Sequence, residues 1–155
     1  MKNLARIAIA ASVGLAMPAI AQQERFVWIG NETPLEVALQ YGLPQSDDVL
    51  LAIRCDRESR ALTFTYALSA ELGLPGPYAI DISTAGGARL IEATQVHLEA
   101  LGVYLFEAKT ILDVELSKIL TGGDTLHLMI GDGGDEFPLP EEEQLQPILD
   151  ACLLD

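Results

Sequence analysis

The sequence predicts a mainly β domain, an antiparallel β-sandwich or partly open barrel of about seven to nine short strands with two small helices. Three observations predict this fold. Short segments of alternating apolar and polar residues recur about every ten residues, glycine-rich turns separate them, and only two stretches show helical spacing. Because an alternating segment buries one face, several such segments need a second layer or a closed sheet.

The N-terminal half supplies four predicted strands. Residues 26–29 form a short strand or an apolar arm on the core, and residues 35–41 form a strand, with a short helix as the alternative. The clearest pair is 49–56 and 61–68, which alternate cleanly on both sides of the polar turn 57–60. This pattern predicts a β-hairpin.

The C-terminal half supplies the remaining strands. Six further segments alternate and are candidate strands, namely 78–82, 88–93, 95–100, 103–108, 125–131 and 136–139. Pro138 lies in the last segment and cannot donate a backbone hydrogen bond, which favours a position at the sheet edge.

Two helices are predicted in the same half. Leucine and isoleucine at helical spacing predict a helix near 111–121, with Thr110 as a candidate cap and a stop at the glycines 122–123. A C-terminal helix is predicted near 145–154, because Pro147 is best tolerated in the first turn of a helix.

Residues 1–21 match a cleaved secretory signal peptide. Lys2 and Arg6 precede an apolar run over residues 7–17, and the small residues Ala19 and Ala21 fit a cleavage site. The run is too short to span a bilayer. We therefore expect residues 22–155 to be a single domain in the periplasm or outside the cell, with no membrane insertion after cleavage.

The chain is strongly acidic, with 23 acidic and 9 basic residues and a formal net charge of −14. Removal of Lys2 and Arg6 with the leader takes that charge from −14 to −16. Such a surface disfavours nucleic acid and anionic lipid, and it suits a cationic protein partner or serves solubility alone. The basic residues Arg54, Arg57 and Arg60 are interleaved with acids, so we interpret them as a solvated strand end and turn rather than an anion site.

Cys55 and Cys152 are the two cysteines, and both are predicted to point into the core. Cys55 continues the apolar face of a strand, and Cys152 continues the apolar stripe of a helix. An even cysteine count in an oxidising compartment favours a disulfide, with two buried free thiols as the alternative.

His97 and His127 are the only histidines. Each lies between two apolar positions of its strand, so both are expected to face away from the core. If their strands were neighbours, the two imidazoles and Glu99 could bind zinc or copper, but their spacing matches no metal motif. We therefore predict exposed histidines without a metal.

A second set of candidate ligands lies in the segment 131–136. Asp132, Asp135 and Glu136 offer the carboxylate oxygens that calcium requires, although glycine and aspartate are also typical of a tight hairpin turn. The turn is the favoured interpretation, and these residues are weak calcium candidates only.

No catalytic or cofactor motif is present. The sequence contains no G-x-S-x-G elbow, no H-E-x-x-H pair and no phosphate-binding glycine loop. We therefore predict a protein that is not an enzyme and has no cofactor. A hydrolase that uses a pair of its many carboxylates is the alternative.

Tyr104 and Phe106 are the candidate binding residues, because they share one face of a strand whose other face carries Val103 and Leu105. Either one face looks outward and presents the aromatic rings, or both faces are buried.

The layout resembles the small exported two-cysteine proteins of Gram-negative bacteria, a resemblance that implies location but no activity. The leading hypothesis is a soluble, non-catalytic interaction module whose acidic surface engages a basic protein, such as a lysozyme-like hydrolase. A calcium-binding or small-ligand-binding periplasmic protein is the alternative.

Overall fold

Antiparallel strands form one curled sheet in the computed structural model, which describes residues 25–68, 77–98 and 103–154. The elements of this part of the chain are β1 (Val27–Glu32), β2 (Glu36–Gly42), β3 (Val49–Asp56), β4 (Ala61–Leu68), β5 (Tyr78–Thr84), β6 (Gly87–Leu98), β7 (Val103–Ile111), α1 (Val114–Thr121), β8 (Thr125–Ile130), β9 (Gly133–Pro138) and α2 (Glu142–Cys152). The sheet order is β1-β2-β3-β4-β7-β6-β5-β8-β9. The sheet curls into a half-barrel, which confirms the predicted mainly β architecture with two helices.

The two faces of the sheet differ in what covers them. The inner face carries the core, as the alternation in β4 shows, where Leu62, Phe64 and Tyr66 are fully buried. Helix α2 packs against β2 and β3, and α1 packs against β5 and β6, with their apolar residues in the same core. We call the opposite side of the sheet the outer face.

Side chains bridge the two edges of the curled sheet. The indole nitrogen of Trp28 on β1 donates to the carbonyl oxygen of Pro138 on β9 at 2.7 Å. Phe137 meets Tyr41 edge to face, with ring centroids 5.5 Å apart. Strand β9 is one edge of the sheet, so Pro138 lies on an edge strand, as predicted. Side chains of β1 and β2 contact this edge from the other side of the core, so it is not left open.

Most predicted strands are confirmed, and one boundary is wrong. Residues 35–41 give a strand rather than a helix, and the hairpin of β3 and β4 forms about its predicted turn. The predicted segments 88–93 and 95–100, however, are not separate strands, because residues 88–93 and 95–98 belong to one continuous strand, β6, and residues 99–100 lie outside the described residues. Thr94 does not interrupt that strand, because a β-branched residue suits an extended backbone and Thr94 pairs in register with Glu107 of β7.

Helix α1 begins three residues later than predicted. Strand β7 continues to Ile111, so Thr110 cannot cap the helix. Asp113 is the cap instead, and it accepts a hydrogen bond of 2.8 Å from the backbone N–H of Leu116. This hydrogen bond lowers the pKa of the Asp113 carboxyl, and the ion pair with Arg89 lowers it further. The predicted stop is confirmed, since Gly122 is the C-cap.

Helix α2 begins three residues earlier than predicted, and Pro147 lies inside it rather than in its first turn. A capping box between Glu141 and Gln144 fixes the start of the helix. Pro147 removes only the bond to the carbonyl of the exposed Glu143, which water can satisfy at that end of the helix.

The predicted disulfide between Cys55 and Cys152 is present, with Cα atoms 5.9 Å apart. It joins the last turn of α2 to β3, and both sulfur-bearing side chains are fully buried. A backbone hydrogen bond also attaches the residues after α2 to the rest of the fold, since the N–H of Leu154 donates to the carbonyl oxygen of Leu112 at 2.8 Å.

Among the residues that the structure describes, neither helix has the length and apolar character needed to cross a membrane. The predicted leader over residues 1–21 lies outside the described residues.

Candidate functional site

The two histidines lie on strands that are not neighbours. His127 on β8 pairs with Ser83 of β5, and β5 separates it from β6, which carries His97. The His127 Nδ1 atom lies 3.2 Å from Oε1 of Glu136. The structure therefore does not bring the two imidazoles together, and Glu99 lies outside the described residues.

His97 is exposed, as predicted, although the strand register places it on the inner side of the sheet rather than on the outer face. His97 pairs with Tyr104, and the two rings stack with centroids 4.4 Å apart on the inner side of the sheet, close to its end. The apolar neighbours Val96 and Leu98 lie on the outer face instead. His127 is on the outer face as predicted, between the fully buried Leu126 and Leu128.

The three weak calcium candidates point in different directions. Asp132 lies in the exposed turn between β8 and β9, Asp135 accepts a hydrogen bond from the Tyr66 hydroxyl, and Glu136 faces His127 on the other side of β9. Within the described residues, no group of three or more potential ligands is arranged to hold a metal ion.

The aromatic residues proposed for binding belong to the inner face. Phe106 is fully buried and meets Tyr78 edge to face at 5.3 Å, so it is a core residue and not a binding residue on the surface. Tyr104 is half-buried under His97. The other face of β7, with Val103 and Leu105, is the one that looks outward.

Each arginine of the 54–60 segment already has an acceptor. Arg54 lies 3.5 Å from the Glu107 carboxylate and donates to Thr65 at 3.1 Å. Arg57 pairs with Glu32, and Arg60 donates to a backbone carbonyl next to the C-terminal helix. This arrangement is unsuited to anion binding.

A cleft of about 830 Å³ lies where β2, β4 and β6 end and β3 and β7 begin. Its lining combines aliphatic residues of the outer face, namely Leu50, Ala67, Leu98, Val103 and Leu105, with four carboxylates, Asp47, Asp48, Asp135 and Glu136. Arg54 is the cation in the described lining, and Glu107 beside it offsets its charge. The cleft is therefore apolar on its floor and negative on its rim.

The strand register places the aliphatic floor on the outer face. Leu105 of β7 pairs with Ala67 of β4 on one side and with Val96 of β6 on the other, and Val103 pairs with Leu98. Residues at these positions alternate with the buried inner residues, so their side chains share the opposite face.

The acidic rim comes from the loop between β2 and β3 and from strand β9. Asp47 and Asp48 lie in the loop between β2 and β3, where the Ser46 hydroxyl accepts the backbone N–H of Asp48 at 3.0 Å. Both aspartates are exposed. Asp135 enters from β9, and its partner Tyr66 has a phenol whose pKa is raised, first by burial and then by this hydrogen bond.

The described lining of the cleft combines carboxylates with aliphatic side chains and includes no histidine, cysteine or serine. What it does offer is apolar area next to carboxylates, which can bind a ligand with both aliphatic and cationic groups.

Comparison with protein-family models, curated proteins and solved structures finds no match.

A second, smaller cleft of about 420 Å³ lies between the end of α1 and the start of α2. Asp124, Glu141 and Glu142 contribute to its lining. This cleft extends the negative surface to the helical side of the molecule.

Sequence reasoning missed the 830 Å³ cleft because it assigned Val96 and Leu98 to the core. A signal was available in β7, where both faces are apolar, but the pairing of β7 with β4 is needed to show which face is buried.

Proposed function

We propose that this protein is an exported, non-catalytic interaction module that binds a cationic protein through its acidic surface. One observation supports the proposal most directly: three of the five described arginines pair with carboxylates of the same chain, whereas exposed carboxylates elsewhere on the described surface have no cationic partner. Arg54, Arg57 and Arg89 pair with carboxylates of the same chain, while Asp47 and Asp48 remain exposed without a cationic partner in the described structure.

The unneutralised charge gives the proposal a defined physical basis. Exposed carboxylates attract a basic partner at long range and raise the association rate, and salt screens this attraction over about 10 Å. The export signal in residues 1–21 supports a location in which such a partner would also be an exported protein.

The test is capture from the exported proteins of the producing organism on immobilised residues 22–155, followed by elution along a salt gradient. We expect a discrete basic protein that elutes as the salt concentration rises. A variant with Asp47→Asn, Asp48→Asn, Glu142→Gln and Glu143→Gln should retain less of it, provided that its circular dichroism is unchanged. Retention of neutral or acidic proteins only, or retention that does not depend on salt, would contradict the proposal.

A further inference from the structure

An apolar strip on the outer face has no covering element among the described helices and strands. We define this outer strip as Leu50, Ala67, Val96, Leu98, Val103 and Leu105. Val96 is 44% exposed and Leu50 is 37% exposed, and the other four residues of the strip are half-buried. Helices α1 and α2 both pack on the other side of the sheet.

The strip is wide enough to seat a secondary-structure element. It crosses the four adjacent strands β3, β4, β7 and β6, which at about 4.8 Å between neighbours gives a width of about 14 Å. A helix rises about 1.5 Å per residue, so roughly ten residues would cover this width. Sheet faces of this kind are commonly covered by a helix that presents one apolar stripe.

The charges around the strip favour one kind of occupant. Asp47 and Asp48 line the same cleft and are exposed, whereas the charge of Arg54 is offset by Glu107. Of the other two carboxylates in the lining, Asp135 accepts a hydrogen bond from Tyr66 and Glu136 lies beside His127. A second copy of this chain would bring the same carboxylates together, on top of the repulsion between two strongly acidic molecules. A helix with lysine or arginine beside its apolar stripe would instead pair with them.

We propose that the outer strip is a docking groove for an amphipathic basic helix of the cationic partner. This inference rests on the proposed function and adds to it both the binding site and the type of segment that binds. The aliphatic residues of the partner helix lie on the outer strip, and its basic residues lie against the acidic rim.

The test uses three fluorescein-labelled peptides of about 14 residues. The first is built from leucine and lysine with the leucines on one helical face. The second has the same composition in an order that spreads the leucines around the helix, and the third replaces every leucine by serine. Binding to residues 22–155 is followed by fluorescence anisotropy at several salt concentrations.

Two matched variants separate the strip from general acidity. Val96→Asp places a charge within the strip, and Leu90→Asp places the same charge on the outer face of the same strand, six residues away, where the side chain is 70% exposed. Simple charge attraction predicts slightly tighter peptide binding for both variants. The docking proposal predicts that Val96→Asp weakens the first peptide at least about ten-fold, whereas Leu90→Asp does not.

The outcomes distinguish this inference from the proposed function. If all three peptides bind equally and Val96→Asp has no effect, the docking groove is refuted while charge-driven binding stands. If no peptide binds at low salt, both proposals fail. Leu50→Asp serves as a second variant in the strip, and melting curves confirm that each variant is folded.

Discussion

Loss of the Cys55–Cys152 disulfide should lower the free energy of unfolding by about 4 to 5 kcal/mol. The two residues are 97 positions apart, so the bond closes a loop of most of the domain. In the chain-entropy model, a cross-link over about 100 residues restricts the unfolded chain by about 4.7 kcal/mol at 25 °C. For a domain of this size, such a loss corresponds to a fall in melting temperature of roughly 15 °C.

Urea unfolding of the oxidised and reduced forms of residues 22–155 measures the effect. Reduction leaves both thiols in place, so the comparison isolates the cross-link from any change in core packing. A Cys55→Ala/Cys152→Ala variant serves as a form that cannot re-oxidise, and its additional loss reports the deleted sulfur atoms. A difference below about 1 kcal/mol between the oxidised and reduced forms would refute the reasoning.

Three further predictions concern single side chains. Asp113→Ala removes a helix cap and should cost about 1 to 2 kcal/mol in urea unfolding, whereas Asp113→Asn keeps the cap and loses mainly the ion pair with Arg89. The pKa of Asp113 is lowered in the folded state, so the wild type should have a higher free energy of unfolding than Asp113→Ala above about pH 4, and this difference should disappear as the pH falls through the pKa of the folded protein. A stability difference that does not change with pH would contradict this. Gly86→Ala should cost about 2 to 3 kcal/mol, since a Cβ there would lie 2.1 Å from a backbone carbonyl of α1, and Gly30→Ala, with its nearest contact at 3.7 Å, is the control that should change little. The Tyr66 phenol, whose pKa is raised, should stay protonated at pH 10, the usual pKa of a tyrosine side chain. Stability should fall above that pH in the wild type but less in Tyr66→Phe, as ultraviolet titration and urea unfolding can check.

The sequence predicts those features in which one local pattern determines the structure. In β4 the inward residues are large and the outward residues are mostly threonine and alanine, so both the strand and its buried face are evident. The same reasoning places Cys55 and Cys152 in one core and predicts their disulfide. The turn 57–60 is also local, because Asp56 accepts the backbone N–H of Ser59 at 2.7 Å, a bond that lowers the pKa of Asp56.

Helix boundaries were less predictable because two capping choices compete within a few residues. Asp113 and Thr110 both have oxygen atoms that can cap a helix, and the length of β7 decides between them. Pro147 was expected to mark the first turn of α2, but the capping box at Glu141 stabilises an earlier start. In both cases tertiary pairing or a second capping contact outweighs the single-residue preference.

In β6 and β7, the alternation of residues in the sequence is not sufficient to predict which face of the strand is buried. In β7 the residues at 103 and 105 are aliphatic and those at 104 and 106 are aromatic, so either set could form the core. Pairing decides the matter, because Phe106 lies opposite Tyr66 of β4, whose inward direction is unambiguous. The aliphatic set is then turned outward together with Val96. A strand with two apolar faces is typical of a sheet covered on both sides, and in the described structure α1 and α2 cover only the inner side. The same pattern that makes the direction of β7 ambiguous in the sequence is therefore what makes the outer strip suitable for a partner helix.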